Sequence, residues 1–154
     1  MVDNKPFAMF FNASPRKGWN TYKMLEAAKA GAEEAGAVTE LVNLYDIKFP
    51  GCRSCFETAN IFTMNIPEKW LDEWKYPQVL ESNTQTLKTV FGASESLYAC
   101  DTYQFADYSR YDITLFDEAA KRAHRDAQFP IDLANARALG KRLIEKATAS
   151  QKTE

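Results

Sequence analysis

The chain has 154 residues, of which 45% are hydrophobic and 26% charged, with a formal charge of -2 and a pI near 5.5. That balance suits one compact core and gives no global attraction to nucleic acid or to an anionic membrane, so partners of neither kind are expected. No apolar run approaches the roughly 20 residues of a membrane span, the N-terminus lacks the pattern of a secretory signal, and three cysteines do not make a disulfide framework, which together imply a cytoplasmic protein. The expected organisation is one domain over residues 1–149 with a short tail over residues 150–154.

The first element is Phe7 to Phe11, a nearly continuous apolar run that suits a strand buried on both faces of a parallel sheet. A polar turn from Asn12 to Gly18 follows. From Tyr22 to Ala35 the positions Met24, Leu25, Ala28, Ala32 and Ala35 fall at helical spacing, with Asn20 or Thr21 as the cap and Gly36 as the stop. Val38 to Leu44 is rich in β-formers, so the opening residues read as a βαβ unit with the usual right-handed crossover. Ile61 to Asn65 reads as a further strand ended by Ile66-Pro67. One or two helices are expected around Pro77, chiefly Gln78 to Phe91, closed by Gly92. Ser96 to Cys100 is a short strand, and Asp101 to Phe105 the loop leaving its carboxyl end. Two helices complete the chain, the last starting at Pro130 with Leu133, Ala136, Gly140, Leu143 and Ala147 on one stripe.

The chemistry concentrates in Asn12-Ala13-Ser14-Pro15-Arg16-Lys17-Gly18-Trp19-Asn20-Thr21, which joins the end of the first strand to the start of the first helix. Such a junction presents free N–H groups and the positive end of a helix dipole, and ligands of open α/β sheets bind beyond the carboxyl ends of the strands. Ser14 and Thr21 offer hydroxyls, Asn20 an amide, Arg16 a two-pronged cation, and Gly18 a left-handed backbone. The same residue types also suit a plain polar loop before a capped helix. Neither GxxxxGK[ST] nor GxGxxG is present, which disfavours a nucleoside triphosphatase or a dinucleotide-binding Rossmann domain. His124 is the single histidine; it lies in a charged helical stretch, Lys121 to Asp126, and reads as solvated rather than catalytic. Most of the aromatic residues read as packing; Trp19 and Tyr103 stand out because both fall in loops at the carboxyl edge of the sheet.

The run Ser-Pro-Arg-x-x-x-Asn-Thr after an N-terminal strand resembles the phosphate loop of the NAD(P)H-dependent FMN reductases and their relatives, the iron-sulfur flavoproteins. Leu44-Tyr45-Asp46 with Gly51-Cys52-Arg53-Ser54-Cys55, Phe62 to Pro67, and Ser96 to Phe105 resemble later parts of the same family. The resemblance implies a flavodoxin-like fold, an open parallel sheet with helices on both faces in three α/β/α layers. It implies that Ser14, Arg16, Asn20 and Thr21, with Lys17, Gly18 and Trp19 beside them, hold the phosphate of FMN. Thr63, Met64, Asn65 and Tyr103 would approach the flavin body. It further implies NAD(P)H as co-substrate, a flavin, quinone or similar acceptor, and a homodimer or homotetramer. No side-chain acid or base is assigned, because the cofactor performs the hydride chemistry.

One part of the family pattern is not found. Relatives carry a helix, a third strand and another helix between the cysteine motif and the fourth strand, whereas this chain passes from Cys55 to Ile61. Two βα units would take roughly 60 residues, so the shortfall is about one strand with its flanking helices. Its loss would force the strand near Ile61 to pair beside the first. A truncated flavodoxin-like module that binds flavin or a partner without turnover is therefore the alternative reading, and a flavin electron carrier without a nicotinamide site is a third. Cys52, Cys55 and Cys100 fall one short of the four thiolates of a cubane cluster, so no iron-sulfur cluster is expected. A zinc site from these three with His124 is chemically conceivable but disfavoured by their distance in sequence. A redox role for Cys52 and Cys55 stays open, with Arg53 able to stabilise a thiolate.

Overall fold

The computed structural model of the protein describes residues 5–47, 58–111 and 115–151. Strands and helices follow in the order β1 (Phe7–Asn12), α1 (Asn20–Glu34), β2 (Val38–Asn43), β3 (Thr58–Thr63), α2 (Lys69–Glu73), α3 (Tyr76–Phe91), β4 (Ser94–Ala99) and α4 (Glu118–Gln151), with 3₁₀ turns at Leu44–Asp46 and Tyr108–Arg110. The fold is mixed α/β, as the alternation of elements implies. Its strands form two parallel pairs. β1 lies beside β2 in register from Phe7↔Val38 to Asn12↔Asn43, and β3 beside β4 from Thr58↔Ser94 to Thr63↔Ala99.

Helix α1 makes the crossover from β1 to β2 and buries Met24, Leu25, Ala28 and Ala32, the positions that helical spacing selects. It stops where Gly36 takes φ +92°, a conformation open to glycine, and the Ala37 N–H returns to the Ala32 carbonyl at 3.1 Å. α1 packs along α4, and the two helices share one core with Ala8, Phe10, Ala99, Phe129, Ala136 and Ile144. Against the β3–β4 pair, side-chain alternation separates the helices. Glu95 meets Arg142 and Lys146 of α4, whereas its neighbour Ser96 bonds Thr84 of α3 at 2.9 Å, so α3 and α4 lie on opposite faces.

Several expectations need correction. β1 is buried on one face only: Ala8, Phe10 and Asn12 are covered, while Phe7, Met9 and Phe11 are 59%, 43% and 50% exposed. The covered side faces the core shared with α1 and α4, and among the described residues no helix covers the other. β3 does not pair beside β1. Their Cα atoms scarcely approach within 8 Å, whereas bonded neighbours lie about 4.8 Å apart, so α1 rests on two strand pairs with a break between them. β3 also begins and ends earlier than expected, leaving Met64 and Asn65 beyond it.

The two C-terminal helices are one. α4 runs through Pro130, whose ring removes an intrahelical hydrogen bond at a cost of about 3 kcal/mol. The buried stripe Lys121, Phe129, Asp132, Ala136, Leu139 and Ile144 continues across it, and that packing offsets the break. Neither Asn20 nor Thr21 caps α1: the N-cap is Trp19 and no side chain caps it. The expected tail instead extends α4 to Gln151, and residues 152–154 lie outside the described residues.

Candidate functional site

Beyond the carboxyl ends of β1, β3 and β4 three loops converge, and local chemistry sets the first of them. Asn12, fully buried at the end of β1, donates from Nδ2 to Asn43 Oδ1 at 2.8 Å on the neighbouring strand. Its Oδ1 accepts the Ser14 N–H at 3.1 Å, the side-chain-to-backbone bond with which asparagine starts a turn. Ser14 Oγ then accepts the Arg16 N–H at 3.3 Å, and Gly18 at φ +69° swings the chain into α1.

The residues read from sequence come together here, tied across the break between the strand pairs. Arg16 donates to the Gln104 carbonyl and lies 6.0 Å above the Phe105 ring. Asn20 Nδ2 donates to the Tyr103 carbonyl at 2.8 Å. The hydroxyls of Thr21 and Thr63 meet at 2.6 Å. Asn65 donates to Gln104 Oε1, and the Met64 carbonyl accepts both the N–H and the hydroxyl of Thr102 at 2.9 Å. Lys17 turns elsewhere, to a solvent-exposed ion pair with Asp46 at 2.6 Å.

Two kinds of group at this edge lack a protein partner. The first turn of α1 has no side-chain acceptor and no acidic residue, and its first helical bond runs from the Lys23 N–H to the Trp19 carbonyl at 2.9 Å, so the positive end of the dipole faces the loops. Among the described residues three buried side-chain atoms are also unsatisfied: Trp19 Nε1, Asn65 Oδ1 and Arg125 Nε. A cavity of about 240 Å³ opens between the start of α1 and the start of α4, walled by Trp19, Asn20, Lys23, Tyr103, Arg122 and Arg125. It is smaller than the roughly 300–1,000 Å³ of sites that enclose a whole cofactor.

Sequence reasoning missed the cross-ties of this site. Gln104 joins two of the loops, and Asn12 sets the turn. Lys121, at the start of the charged stretch around His124, is buried with 2% of its side chain exposed; it pairs with Asp101 and donates to the Asn65 carbonyl at 2.7 Å. It thereby fixes the loops after β3 and β4 to the first turn of α4, and the left-handed φ of 53° at Asp101 belongs to that junction. The signal in the sequence is slight: an aspartate just past a strand and a lysine 20 residues on. Tyr103 is turned inward, its hydroxyl donating to Glu118 at 2.9 Å and its ring 4.7 Å from Tyr108. Burial, then that bond to Glu118, raises its pKa. Arg122 beside Glu118 holds that carboxyl below its usual range.

Cys52, Arg53 and Cys55 lie outside the described residues. Cys100 is half-buried, and its thiol is pushed up to about 11, chiefly by burial, with Glu68, Asp132 and Asp101 adding to the rise. His124 is exposed, as expected. Among the described residues no cluster of His, Cys, Asp and Glu is arranged to hold a metal, and no helix is long and apolar enough to cross a membrane. Together the fold and the site define an α/β protein with an uncapped helix terminus at the carboxyl edge of parallel strands. Comparison with protein-family models, curated proteins and solved structures returns no match.

Proposed function

We propose that the protein binds FMN through its phosphate at the turn from Ser14 to Thr21 and serves as an NAD(P)H-dependent oxidoreductase of flavodoxin-like fold, the two strand pairs being parts of one open sheet. The observation that carries this is the uncapped start of α1, placed beyond the ends of parallel strands with Arg16, Asn20 and Thr21 around it. A phosphate dianion supplies the acceptors that the first-turn N–H groups lack.

The side chains keep capacity for it despite their present bonds. Arg16 uses one of five donors, Asn20 one of two, and of the paired Thr21 and Thr63 hydroxyls only one donates to the other. Asn65 Oδ1, buried without a donor in the loop after β3, is an acceptor suited to a ring N–H. When bound, FMN supplies hydride acceptance and electron transfer. The chain's own part is to hold the phosphate, to present Asn65 and to leave the ring accessible.

The test is titration with FMN by flavin fluorescence. Losing a charge-assisted hydrogen bond is worth about 1.5–3 kcal/mol, so Arg16→Ala should weaken binding by roughly tenfold or more, and Thr21→Ala by less. Unchanged affinity in both variants would overturn the assignment. A second reading, flavin binding without turnover, is favoured by the break between β1 and β3 and the exposure of Phe7, Met9 and Phe11. Oxidation of NADPH with a quinone acceptor separates the two: turnover supports the first, and bound FMN without turnover the second.

A further inference from the structure

The cavity between α1 and α4 has a chemistry of its own that the flavin reading does not use. Its charged lining is Lys23, Arg122 and Arg125 against a single acid, Asp126. Arg122 is occupied by Glu118 at 2.7 Å, while Arg125 reaches Asp126 only at 3.5 Å, with that carboxylate 65% exposed. Lys23 has no ion pair among the described residues and stands exposed one turn into α1. The two unsatisfied atoms in this wall, Trp19 Nε1 and Arg125 Nε, are both donors. A wall that combines surplus positive charge with orphaned donors lacks an acceptor-rich anion, since buried donors are ordinarily paired and an oxyanion offers acceptors only.

We propose that this cavity is a second oxyanion subsite, distinct from the one around Arg16 and Thr21, which takes a phosphoryl group on Lys23, Arg125 and the Trp19 indole N–H. Neither Arg16 nor Thr21 lines the cavity, although their neighbour Asn20 and the loop residues Tyr103 and Phe105 do. Its volume suits a free phosphate or a sugar phosphate. Lining by Trp19, Tyr103, Phe105 and Ala106 leaves an apolar wall beside the charged one, which favours the sugar-borne form.

The experiment is calorimetric titration of the full chain with inorganic phosphate and with ribose 5-phosphate, at low and high salt, without FMN and then saturated with it. Binding should persist in the FMN-saturated protein and weaken as salt rises, because the cations are partly exposed. Arg125→Gln should weaken it about tenfold and Lys23→Gln about threefold, with FMN affinity unchanged in both and Arg16→Ala without effect on it. Tighter ribose 5-phosphate identifies a phosphomonoester ligand, and equal affinities a free anion. Absence of binding to either probe overturns the proposal, as does competition by FMN or sensitivity to Arg16→Ala alone, which would place the anion in the turn. Because Lys23 is exposed, its variant keeps the test decisive should Arg125→Gln fold poorly. FMN titration reads the flavin assignment independently of these outcomes.

Discussion

The contact between α1 and α4 makes a prediction in which two effects of one methyl group oppose each other. Gly31 and Gly140 lie inside helices, where replacing glycine by alanine ordinarily stabilises by about 0.8–1 kcal/mol. Here a Cβ on Gly31 would lie 2.7 Å from the Arg137 carbonyl carbon and closer to its oxygen, and one on Gly140 would lie 2.6 Å from the Ala28 carbonyl carbon. Ordinary contact begins near 3.4 Å, so the helices would have to separate by roughly 0.7 Å or more. The obstacle is backbone in both cases and cannot rotate aside. Overpacking of this kind costs about 1–3 kcal/mol, and a forced backbone shift belongs at the upper end. The net expectation for Gly31→Ala or Gly140→Ala is a loss of about 2 kcal/mol, or about 4–8 °C in Tm for a chain of this size. The double variant should lose less than the sum, because helices already parted for one methyl accommodate the second. Urea and thermal unfolding read these values. An alanine variant as stable as the parent would mean that α1 and α4 do not cross through these glycines, and the core built on that crossing would be wrong.

Lys121→Met leaves the partly exposed Asp101 without its partner and should cost about 1.5–3 kcal/mol in urea unfolding, while Lys121→Met with Asp101→Asn should recover much of the loss. Glu95 is held below the usual carboxylate range, first by the Lys146 hydrogen bond and then by Arg142, so as pH falls the unfolded chain takes up the proton before the folded one does. Its stabilisation is therefore complete above about pH 5 and lost as pH falls through the lowered folded value, and Glu95→Gln should remove that part of the acid dependence from a pH series of unfolding curves. In a Cys52→Ser, Cys55→Ser background, Cys100 with its thiol near 11 should alkylate at pH 8 roughly 100-fold more slowly than a thiol at 9.0; a rate near that of free cysteine would refute its burial. Met9→Lys on the exposed face of β1 should change stability by less than about 0.5 kcal/mol, and Phe10→Ala on the covered face should cost about 3–5 kcal/mol.

What was legible in the sequence is what local chemistry decides. The apolar spacing of Met24, Leu25, Ala28 and Ala32 placed α1, Gly36 placed its end and Gly92 that of α3, because each tests a property of a few adjacent residues. The gathering of Arg16, Asn20, Thr21, Thr63, Asn65 and Tyr103 was legible because parallel strands bring their C-terminal loops to one edge. What was not legible depends on distant partners. Pro130 marks a helix start by its own preferences and became helix interior only because the stripe on either side packs against one core. Nothing adjacent to Lys121 in the sequence marks it as buried until Asp101 is folded beside it. Asn20 and Thr21 are good caps that serve instead to tie loops, which leaves the start of α1 without a side-chain cap.

The break between the strand pairs changes what holds the site together. In a continuous parallel sheet the loops at one edge are positioned by strand pairing, but β1 and β3 exchange no hydrogen bond, so the turn after β1 and the loops after β3 and β4 are aligned by other means. α1 supplies part of the alignment by resting on β1, β2 and β3 together. Side chains supply the rest: Arg16 to Gln104, Asn20 to Tyr103 and Thr21 to Thr63 all cross the break. Every one of these residues is also assigned to the phosphate turn or the loops facing it. The side chains that would grip the ligand are therefore the ones that fix the geometry of the grip, and a bound phosphate that draws on Arg16 and Thr21 acts on the ties between the two strand pairs at the same time. If the turn takes a phosphate as proposed, ligand affinity and the cohesion of the two halves would be coupled through the same atoms.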